Sequence, residues 1–275
     1  VIELMPIHDR KYYALKYASD HEDNPSKNQF TVIAQGILSD IETGAPLLIS
    51  EMSLLTALRT GALSALASQL LANPNPTIMA LIGTGAQAEF QILAHHLLLG
   101  INRFQCFDTD PEAVEKCCNN LQNYEIDIIP CKSITQALDQ ANIITTMTST
   151  NQKHILFDVE QVPAGVHINA LGADTIGKTE LDPHLLTLSK IIVEYLPQTS
   201  IEGEVQNVPL HHVDAEMWEV ASNIVKGREP PEEITIFDGV GFAIEDYSAL
   251  CCFYALSQKH QIGTLLPMTP KAQNP

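Results

Sequence analysis

The stretch TIMALIGTGAQA, residues 77–88, decides the fold. Its apolar first half has the length and composition of a strand that is buried on both faces. The second half, Gly83-x-Gly85-x-x-Ala88, leads into a helical pattern over residues 88–99. Gly83 permits the tight turn, Gly85 lets a phosphate approach the backbone, and Ala88 keeps the helix close to its strand. The stretch therefore predicts a dinucleotide-binding loop at a helix N-terminus, where free N–H groups and the helix dipole attract phosphates.

Beyond this loop the sequence alternates between apolar strands and helical patterns. Helices are predicted at 111–121 and 134–139, and further strands at 103–107, 126–130, 142–146, 166–171, 190–195 and 234–237. Such alternation is typical of a parallel sheet with helices on both faces. We therefore predict an α/β fold in which residues 75–240 form an NAD-binding domain with a Rossmann-type, doubly wound parallel sheet.

Asp108 identifies the cofactor more closely. It lies at the end of the second strand, about 20 residues beyond the glycines, where a carboxylate accepts hydrogen bonds from ribose hydroxyls. The carboxylate repels a 2′-phosphate, and Thr109, Asp110 and Pro111 supply no cation that would hold one. The sequence therefore favours NAD over NADP. The alternative interpretation is a glycine-rich turn that binds no ligand.

The sequence before the glycine loop predicts a smaller α+β domain. Its predicted strands cover residues 12–17, 31–38 and 45–50. Turn residues join the last two strands, which should form a hairpin. A long helix with apolar residues at helical spacing follows over 53–71, and the segment Asn73-Pro74-Asn75-Pro76 ends it, because X-Pro steps do not continue a helix. We predict that residues 1–74, completed by a C-terminal helix within 241–260, form this substrate-binding and dimerisation domain.

The composition excludes several classes of function. The 275 residues carry a formal net charge of −18, so the chain lacks the basic surface that a nucleic acid or an anionic membrane requires. No apolar run reaches the roughly 18 residues of a membrane-spanning helix, and no signal peptide is recognisable. The 6 cysteines form no CxxC pair, which argues against a disulfide framework or a zinc site. We therefore expect buried reduced thiols, no bound metal and a cytoplasmic protein.

Several longer motifs are similar to those of one protein family. They are EMSLLTALRT at 51–60, GTGAQAEFQ at 83–91, HINALGAD at 167–174, GKTEL at 177–181, EYLPQT at 194–199 and GFAIED at 241–246. In this order they resemble the ornithine cyclodeaminase/mu-crystallin family, and most of all its bacterial ornithine cyclodeaminases. The resemblance extends from Val1 to about Leu250.

This resemblance implies a reaction and an assembly. Ornithine cyclodeaminases convert L-ornithine to L-proline and ammonia with a tightly held NAD that is regenerated in each turnover. The α-carbon gives up a hydride, the δ-amine closes the ring with loss of ammonia, and the cyclic imine takes the hydride back. The resemblance also implies a homodimer formed through the smaller domain. The C-terminal helix 243–257 is expected to take part through its apolar residues Leu250, Phe253, Tyr254 and Leu256.

The resemblance further implies the roles of individual residues, by their positions in the motifs. Lys16 and Arg59 would contact the substrate carboxylate. Glu3 and Val240 would belong to the substrate site, and Asp174 would be the catalytic carboxylate. The residues expected at the cofactor are Thr31, Arg59, Thr60, Gly83, Gly85, Ala86, Gln87, Asp108, Thr148 and Lys178.

The residue types suit these roles, although each has a structural alternative. Arg binds a carboxylate through two N–H groups, but Arg59 on an otherwise apolar helix also fits a structural ion pair. Lys16 could instead be solvated at the end of a strand. Asp174 follows an apolar strand, where carboxylates of an open α/β sheet face the ligand crevice, and it can exchange protons with substrate amines. His95 and His96 are interpreted as residues of a helix face and not as ligands.

Two departures from the family pattern are visible. Family members carry a further segment ahead of the position of Glu3, with an Arg that helps to bind the substrate carboxylate, whereas the printed sequence starts at Val1. Family members also usually carry Ser where this chain has Gly239. A hydroxyl contact to the cofactor is therefore not expected at that position.

Other functions are open at this point. Within the family, the alternatives are a cyclic ketimine reductase, a lysine cyclodeaminase or an alanine dehydrogenase, which differ in the depth of the substrate pocket. A different class is a non-catalytic, dinucleotide-dependent binder of small molecules of the mu-crystallin type. Such members favour NADP, so Asp108 counts against this alternative. A third alternative is a chain with no activity of its own.

Overall fold

The structure, a computed structural model, describes residues 2–21, 23–27, 29–150 and 152–268. Within these residues the chain divides into two compact units. The terminal unit contains the residues up to Arg59 and those from Phe242 onward, and the central unit is Thr60–Gly241. The division falls inside a helix, whereas the sequence analysis places the domain boundary after it. The assignment of substrate and cofactor binding to separate domains stays a prediction.

The terminal unit contains a four-stranded antiparallel sheet. Its strands are β1 (Ile2–His8), β2 (Tyr12–Asp20), β3 (Val32–Asp40) and β4 (Pro46–Glu51), which pair in sequence order. The predicted hairpin of the last two strands is confirmed. The strands predicted from the sequence do not include β1, because Pro6 interrupts its pattern. Proline is tolerated there because β1 lies at the edge of the sheet.

The core of the terminal unit lies between this sheet and α8 (Ala243–His260). Ala14, Ala18 and Leu38 point to the same face of the sheet and pack with Met52 and Leu250. All five side chains are buried. The small side chains of Ala14 and Ala18 on this face of β2 let the helix approach the sheet closely.

Helix α1 (Ser53–Leu71) has the predicted bounds. Its N-terminus is capped by Glu51, whose carboxylate accepts hydrogen bonds from the N–H groups of Ser53 and, at 3.0 Å, Leu54. The Ser53 hydroxyl takes no part in this cap and accepts a hydrogen bond from the N–H of Ala34 at 3.0 Å. A carboxylate is favoured at this end of a helix because it also interacts with the helix dipole.

Helix α1 is also the one helix among the described residues that is long and apolar enough to cross a membrane. The search of the sequence for an uninterrupted apolar run does not find this helix, because Arg59 and several hydroxyl side chains interrupt its apolar residues. Of its apolar window, 39% is buried. Helices that pack into a protein core meet the same test, so the composition of α1 is weak evidence for a membrane.

The central unit is built on an eight-stranded sheet whose neighbouring strands are all parallel. In spatial order the strands are β11 (Val213–Glu216), β10 (Lys190–Val193), β12 (Thr235–Asp238), β9 (His167–Ala170), β8 (Ile143–Thr146), β5 (Ile78–Ile82), β6 (Arg103–Phe107) and β7 (Asp127–Pro130). Its further helices are α2 (Ala88–Leu99), α3 (Pro111–Leu121), α4 (Ile134–Leu138), α5 (Pro183–Thr187), α6 (Leu196–Glu202) and α7 (Met217–Ala221). The predicted α/β fold with a Rossmann-type, doubly wound sheet and a smaller α+β part is confirmed.

Both faces of the central sheet are buried. Along β5, Ala80 and Ile82 belong to one apolar cluster, whereas Met79 and Leu81 belong to another. Successive residues of a strand point to opposite faces, so the two clusters cover the two faces. This arrangement explains why the strands of this unit are apolar throughout instead of alternating.

Besides β1, the elements that the sequence does not predict are short. They are β11 and helices α5, α6 and α7, which have between 4 and 7 residues each. β11 carries Asp214 and Glu216 among its four residues, so it lacks the apolar run that reveals strands of the same length such as β8. The three helices span only one or two turns and give no repeating 3.6-residue pattern. Helix α8 extends to His260, past its predicted end at 257, and the tail beyond 268 lies outside the described residues.

The cysteines differ in exposure. All 6 lie in the described residues and are free: Cys106 and Cys117 are buried, and Cys252 is exposed. The remaining three, Cys118, Cys131 and Cys251, are partly buried. The expectation of buried thiols is therefore correct for two of them and wrong for Cys252, which lies on a solvent-facing side of α8.

Candidate functional site

Gly83 and Gly85 form the turn between β5 and α2. Gly83 has a φ of 98°, in the left-handed region, and a Cβ on it would lie 2.8 Å from the carbonyl oxygen of Met147. Gly85 is exposed, and a Cβ on it would meet no protein atom within 4 Å. The turn follows β5, which has β6 on one side and β8 on the other. The strand order reverses there, and open α/β sheets bind ligands at such a point.

The N-terminus of α2 has no side-chain cap. Gln87 occupies the N-cap position and makes no capping hydrogen bond through its side chain, while Ala88 is fully buried against the sheet. The first N–H groups of a helix have no partner within the helix, and they attract a phosphate together with the helix dipole. The turn and the helix start therefore fit the pyrophosphate of a dinucleotide.

Asp108 follows β6 and holds the glycine loop. Its Oδ2 accepts hydrogen bonds from Thr84 N at 2.6 Å and from Thr84 Oγ1 at 3.1 Å. Its Oδ1 accepts one from Asp110 N at 2.9 Å. A fourth hydrogen bond, from Thr109 Oγ1 to Oδ1, is long at 3.5 Å. A ribose hydroxyl would replace this weak contact, because a carboxylate has about four lone-pair positions. The structure thus adds a task that the sequence does not predict, which is to fix the loop that precedes the helix.

Four buried carboxylates hold the loops that follow the strands of the central sheet; they belong to Glu180, Glu194, Glu204 and Asp238. Glu180 accepts a hydrogen bond from Thr148 N at 2.8 Å and a second from the Thr148 hydroxyl. A Cβ on Gly172 would overlap the carboxylate of Glu180, so the loop needs glycine at 172. The position of Thr148, a predicted cofactor residue, is therefore set by a buried carboxylate.

Glu204 and Asp238 hold backbone N–H groups in the same way. Glu204 accepts hydrogen bonds from Glu180 N at 2.7 Å and Leu181 N at 3.0 Å. Asp238 accepts one from Val205 N at 2.9 Å. Burial raises the pKa of Asp238 to about 7. Burial also raises the pKa of Glu204 well above its ordinary value, and the neighbouring Asp238 adds to this shift. The two acids therefore retain protons at higher pH than exposed carboxyls do.

Glu194 fixes the segment that contains Val240. It follows β10 directly, and its Oε2 accepts hydrogen bonds from Val240 N at 2.9 Å and from Gly241 N. Glu194 is only 4% exposed. The backbone at Val240, a predicted substrate residue, is thus tied to the carboxyl end of the neighbouring strand.

Asp174 and Lys178 lie together in the segment that follows β9. The Lys178 ammonium is 3.0 Å from Asp174 Oδ1. The Asp174 side chain is 53% exposed, whereas that of Lys178 is 8% exposed. The structure therefore brings the predicted catalytic carboxylate into contact with a predicted cofactor residue and leaves the carboxylate accessible to a ligand.

Lys16 and Arg59 are held by the first turn of α8 in the terminal unit. Lys16 Nζ lies 2.9 Å from Asp246 Oδ2, and Arg59 Nε lies 3.3 Å from Asp246 Oδ1. Arg59 also forms an ion pair with Glu245 through its NH1 group. The alternative that Lys16 is solvated at a strand end is wrong, because Lys16 is 3% exposed and lies in the middle of β2.

Glu3 shares a face of the sheet with Lys16. In the register of β1 and β2, Glu3 pairs with Ala18 and Met5 pairs with Lys16, and residues two apart on a strand point to the same side. Glu3 is exposed, and its charge attracts the Lys16 ammonium. Three of the predicted substrate residues, Glu3, Lys16 and Arg59, therefore lie in one cluster.

The other residues predicted at the cofactor are Ala86, Gln87, Thr60 and Thr31, which are spread over several segments. Ala86 is exposed and stands with Gln87 between the glycine turn and α2. Thr60 is half-buried at the point where α1 enters the central unit, and Thr31 precedes β3, where its carbonyl accepts a hydrogen bond from His21 N at 2.9 Å. Their roles toward a cofactor stay predictions.

Six acidic residues that organise these sites have no role predicted from the sequence; they are Glu180, Glu194, Glu204, Asp238, Glu245 and Asp246. For Glu194 and Asp238 a signal exists, since both stand at the carboxyl end of an apolar strand, as Asp108 does. For Asp246 no local signal exists, because its partners are distant in sequence. Over the part of the chain that the structure describes, no group of three or more His, Cys, Asp or Glu residues is placed to hold a metal ion.

Known proteins share this sequence pattern. The sequence profile of the ornithine cyclodeaminase/mu-crystallin family matches residues 1–260. Ornithine cyclodeaminase from Agrobacterium tumefaciens (strain Ach5) is 48% identical over 250 residues, which are 91% of this chain and 70% of that protein.

Solved structures share the architecture as well. An archaeal alanine dehydrogenase dimer with bound NAD has a TM-score of 0.90 and 32% identity, over 98% of this chain and 84% of that one. A lysine cyclodeaminase, solved for its recognition of L-lysine, L-ornithine and L-2,4-diaminobutyric acid, has a TM-score of 0.90 and 30% identity. That match covers 100% of this chain and 81% of the other.

Proposed function

The chain belongs to the ornithine cyclodeaminase/mu-crystallin family, and on this premise we propose that it is an NAD-dependent ornithine cyclodeaminase. It converts L-ornithine to L-proline and ammonia. The observation that carries the proposal is the pair of cations Lys16 and Arg59, whose side chains are 3% and 12% exposed and share the carboxylate of Asp246. Such a pair suits the carboxylate of an amino acid, because fixed cations in a desolvated site bind it strongly.

NAD supplies the hydride acceptor and, after ring closure, the hydride donor. The residues that would hold its pyrophosphate are Gly83, Gly85 and the start of α2, because the turn is open at Gly85 and the helix is uncapped. Asp108 accepts from the ribose and repels a 2′-phosphate, which makes NAD the preferred cofactor. Thr148 and Lys178 complete this set of residues.

Substrate orientation falls to the cations of the terminal unit. Lys16 and Arg59 bind the carboxylate of ornithine and thereby fix the adjacent α-carbon. Arg59 retains N–H donors beyond those engaged by Glu245 and Asp246, because a guanidinium carries more donors than these contacts use. Glu3, on the same sheet face, provides a negative charge for a substrate amine.

Proton transfer falls to Asp174. The two amines of ornithine must lose and regain protons while the ring closes and ammonia leaves, and a positioned carboxylate does this efficiently. Asp174 is accessible, and Lys178 holds it from one side at 3.0 Å. The ammonium of Lys178 thus orients the carboxylate.

The proposal includes a homodimer and a cytoplasmic location. By the strand register, several exposed apolar residues share the sheet face opposite Lys16; they are Ile2 (65%), Leu4 (64%), Tyr17 (39%), Ile33 (37%) and Ile49 (52%). Apolar patches of this kind mark interfaces. The expected contribution of α8 needs correction: Leu250 is fully buried and Tyr254 packs in the unit's core, so Phe253 and Leu256 are the exposed ones. All 6 cysteines are free, which suits a reducing compartment.

The test is a direct assay. The protein is incubated with catalytic NAD and with L-ornithine, L-lysine or L-alanine, and ammonia, proline, pipecolate and pyruvate are measured. We expect proline and ammonia in equal amounts from ornithine without net NADH. Net NADH formation with alanine would instead identify an alanine dehydrogenase, and preferential turnover of lysine would identify a lysine cyclodeaminase.

A further inference from the structure

Asp246 contacts both cations that bind the substrate carboxylate in the proposed function. It lies in the first turn of α8 and is 1% exposed. Its two oxygens have different partners: Oδ2 lies 2.9 Å from Lys16 Nζ on β2, and Oδ1 lies 3.3 Å from Arg59 Nε on α1. One side chain thus connects three elements of the terminal unit through two ion pairs.

The surroundings of Lys16 make such a partner necessary. Lys16 stands between Ala14 and Ala18 on the core face of β2, opposite Gly36 of β3. A Cβ on Gly36 would lie 2.8 Å from Met52 Cγ, so the neighbouring space is filled by apolar atoms. A buried ammonium in such a place is costly unless an opposite charge and a hydrogen bond accompany it.

We propose that Asp246 is a positioning residue that holds Lys16 and Arg59 side by side as one clamp for the substrate carboxylate. The inference rests on the proposed function, in which these two cations bind that carboxylate. Two cations from separate elements repel each other. The carboxylate of Asp246, which contacts both of them, offsets this repulsion. Lys16 and Arg59 each keep N–H donors that Asp246 does not use, and these donors are the ones available to the substrate.

The charge balance at Lys16 shows what Asp246 contributes. Burial lowers the pKa of Lys16, and the positive charge of Arg59 acts in the same direction. Asp246 raises the pKa of Lys16 and has the largest effect of the groups that raise it. Glu3 on β1 also raises this pKa, by a smaller amount. Removal of the Asp246 charge therefore takes away the strongest opposition to burial and Arg59 and leaves the smaller effect of Glu3. The pKa of Lys16 should then fall further.

Glu245 provides a matched comparison on the same turn of α8. Within the described residues it is ion-paired with Arg59 and not with Lys16. Its substitution removes one carboxylate from the cluster, as the substitution of Asp246 does, but leaves the direct partner of Lys16 in place. A difference between the two variants at Lys16 therefore reports on the bridging contact and not on the number of charges.

The experiment compares Asp246→Asn with Glu245→Gln in the full chain with saturating NAD. The Lys16 ammonium is followed by NMR of lysine-labelled protein as a function of pH, with Lys16→Arg for assignment, and KM and kcat are measured with L-ornithine. In Asp246→Asn we expect the Lys16 titration to move to lower pH and KM to rise roughly tenfold or more, with a smaller change in kcat. Glu245→Gln should leave the Lys16 titration where it is in the wild type.

Three results would overturn the proposal or separate it from the proposed function. An unchanged KM and Lys16 titration in folded Asp246→Asn would make Asp246 a structural residue only. An equal shift of Lys16 in both variants would remove the bridging role. Wild-type protein that does not turn over ornithine would overturn the proposed function and this inference together, whereas the first two results leave the proposed function intact.

A conservative variant covers the case in which Asp246→Asn does not fold. Asp246→Glu keeps the charge but moves it by one methylene. We expect its Lys16 titration to stay close to that of the wild type while KM remains raised, because the cations are displaced. A wild-type KM in Asp246→Glu would contradict a role in positioning.

Discussion

At the scale of single residues, accessibility separates Asp174 from the buried acids that hold the loops of the central unit. Its side chain is 53% exposed, whereas Glu180, Glu204 and Asp238 are fully buried and engaged by backbone N–H groups. A buried acid that is held by the backbone fixes loops, while an accessible one can exchange protons with a ligand. Exposure therefore distinguishes the acids that fix loops from the acid that can exchange protons with a ligand.

Asp174→Asn is expected to lower the turnover of ornithine more than roughly a hundredfold, because the amide keeps the shape but cannot exchange protons. NAD affinity should change little, since Gly83, Gly85 and Asp108 are untouched. Steady-state turnover and a fluorescence titration with NAD measure the two effects. Asp127→Asn, an exposed carboxylate on β7, serves as the control. Near-normal turnover would make Asp174 structural, and joint loss of turnover and NAD binding would point to a role in cofactor binding.

Asp108 carries the preference between the two nicotinamide cofactors. We expect the wild type to bind NAD more tightly than NADP, and Asp108→Asn to shift the ratio toward NADP at least about tenfold, or ~1.4 kcal/mol. Asn removes the charge that repels the 2′-phosphate and keeps an oxygen that accepts the hydrogen bond from Thr84 N. Fluorescence titrations with both cofactors measure the ratio. Glu112→Gln, an exposed neighbour on α3, should leave it unchanged; tighter wild-type binding of NADP would refute the assignment.

At the scale of elements, a buried chain of polar side chains ties four elements of the central unit together. Ser68 of α1 is 3.0 Å from His95 Nε2 of α2, and Asn169 of β9 donates to Ser68 Oγ at 2.9 Å. His167 of β9 lies 3.1 Å from Asn169 Oδ1 and 3.0 Å from the Thr235 hydroxyl of β12. Every member is buried. His95 of α2 is thus a structural residue whose hydrogen bonds link the helices to the sheet.

This chain makes the fold sensitive to acid. Burial lowers the pKa of His95 to about 4 and that of His167 to about 3, from an ordinary value of 6.5. Below pH 6.5 the unfolded chain binds protons that the folded chain does not, so stability falls as the pH falls from 6.5 toward these lowered values. For His95 alone the loss at pH 5 is about 2 kcal/mol. Asp238 has the opposite effect: its pKa is raised to about 7, so its protonation stabilises the folded state as the pH falls through 7.

The difference between variant and wild type isolates the histidine. In His95→Gln, which keeps a hydrogen-bonding side chain, we expect the destabilisation measured at about pH 7 to shrink by about 2 kcal/mol at about pH 5. Urea unfolding at the two pH values measures it. His184→Gln, at an exposed position on α5, should track the wild type at both. An equal cost of His95→Gln at both pH values would exclude His95 as an acid-sensitive group.

At the scale of the whole molecule, the exposed apolar residues on the sheet face opposite Lys16 predict self-association. Light scattering at low micromolar concentration should show twice the mass of the chain, and Leu4→Lys or Ile49→Lys should reduce it to that of a monomer. A buried, unpaired lysine opposes an apolar interface. Leu97→Lys, at a residue of α2 that is 78% exposed, adds the same charge elsewhere and should leave the mass unchanged. A wild-type monomer would refute the dimer.

Much of the central unit is predictable because its signals are local. The apolar strand before Gly83, the glycine spacing and the acid after β6 are each contained in a few neighbouring residues. The long helix α1 is predictable for the same reason, since its period repeats over 19 residues. The edge strand β11 is not, because two of its four residues are acidic and it therefore lacks an apolar run.

By itself, the sequence determined the α/β class with most of its strands and its longer helices, the dinucleotide-binding turn and the family. Only the tertiary structure decided which charges neutralise one another. Lys16, Arg59 and Asp246 come from distant parts of the chain, and Glu180 reaches Thr148 across a loop. Periodicity and spacing report the local preferences of the backbone, whereas the pairing of buried charges depends on how the elements pack, and the free energy of desolvation then requires each buried charge to find a partner.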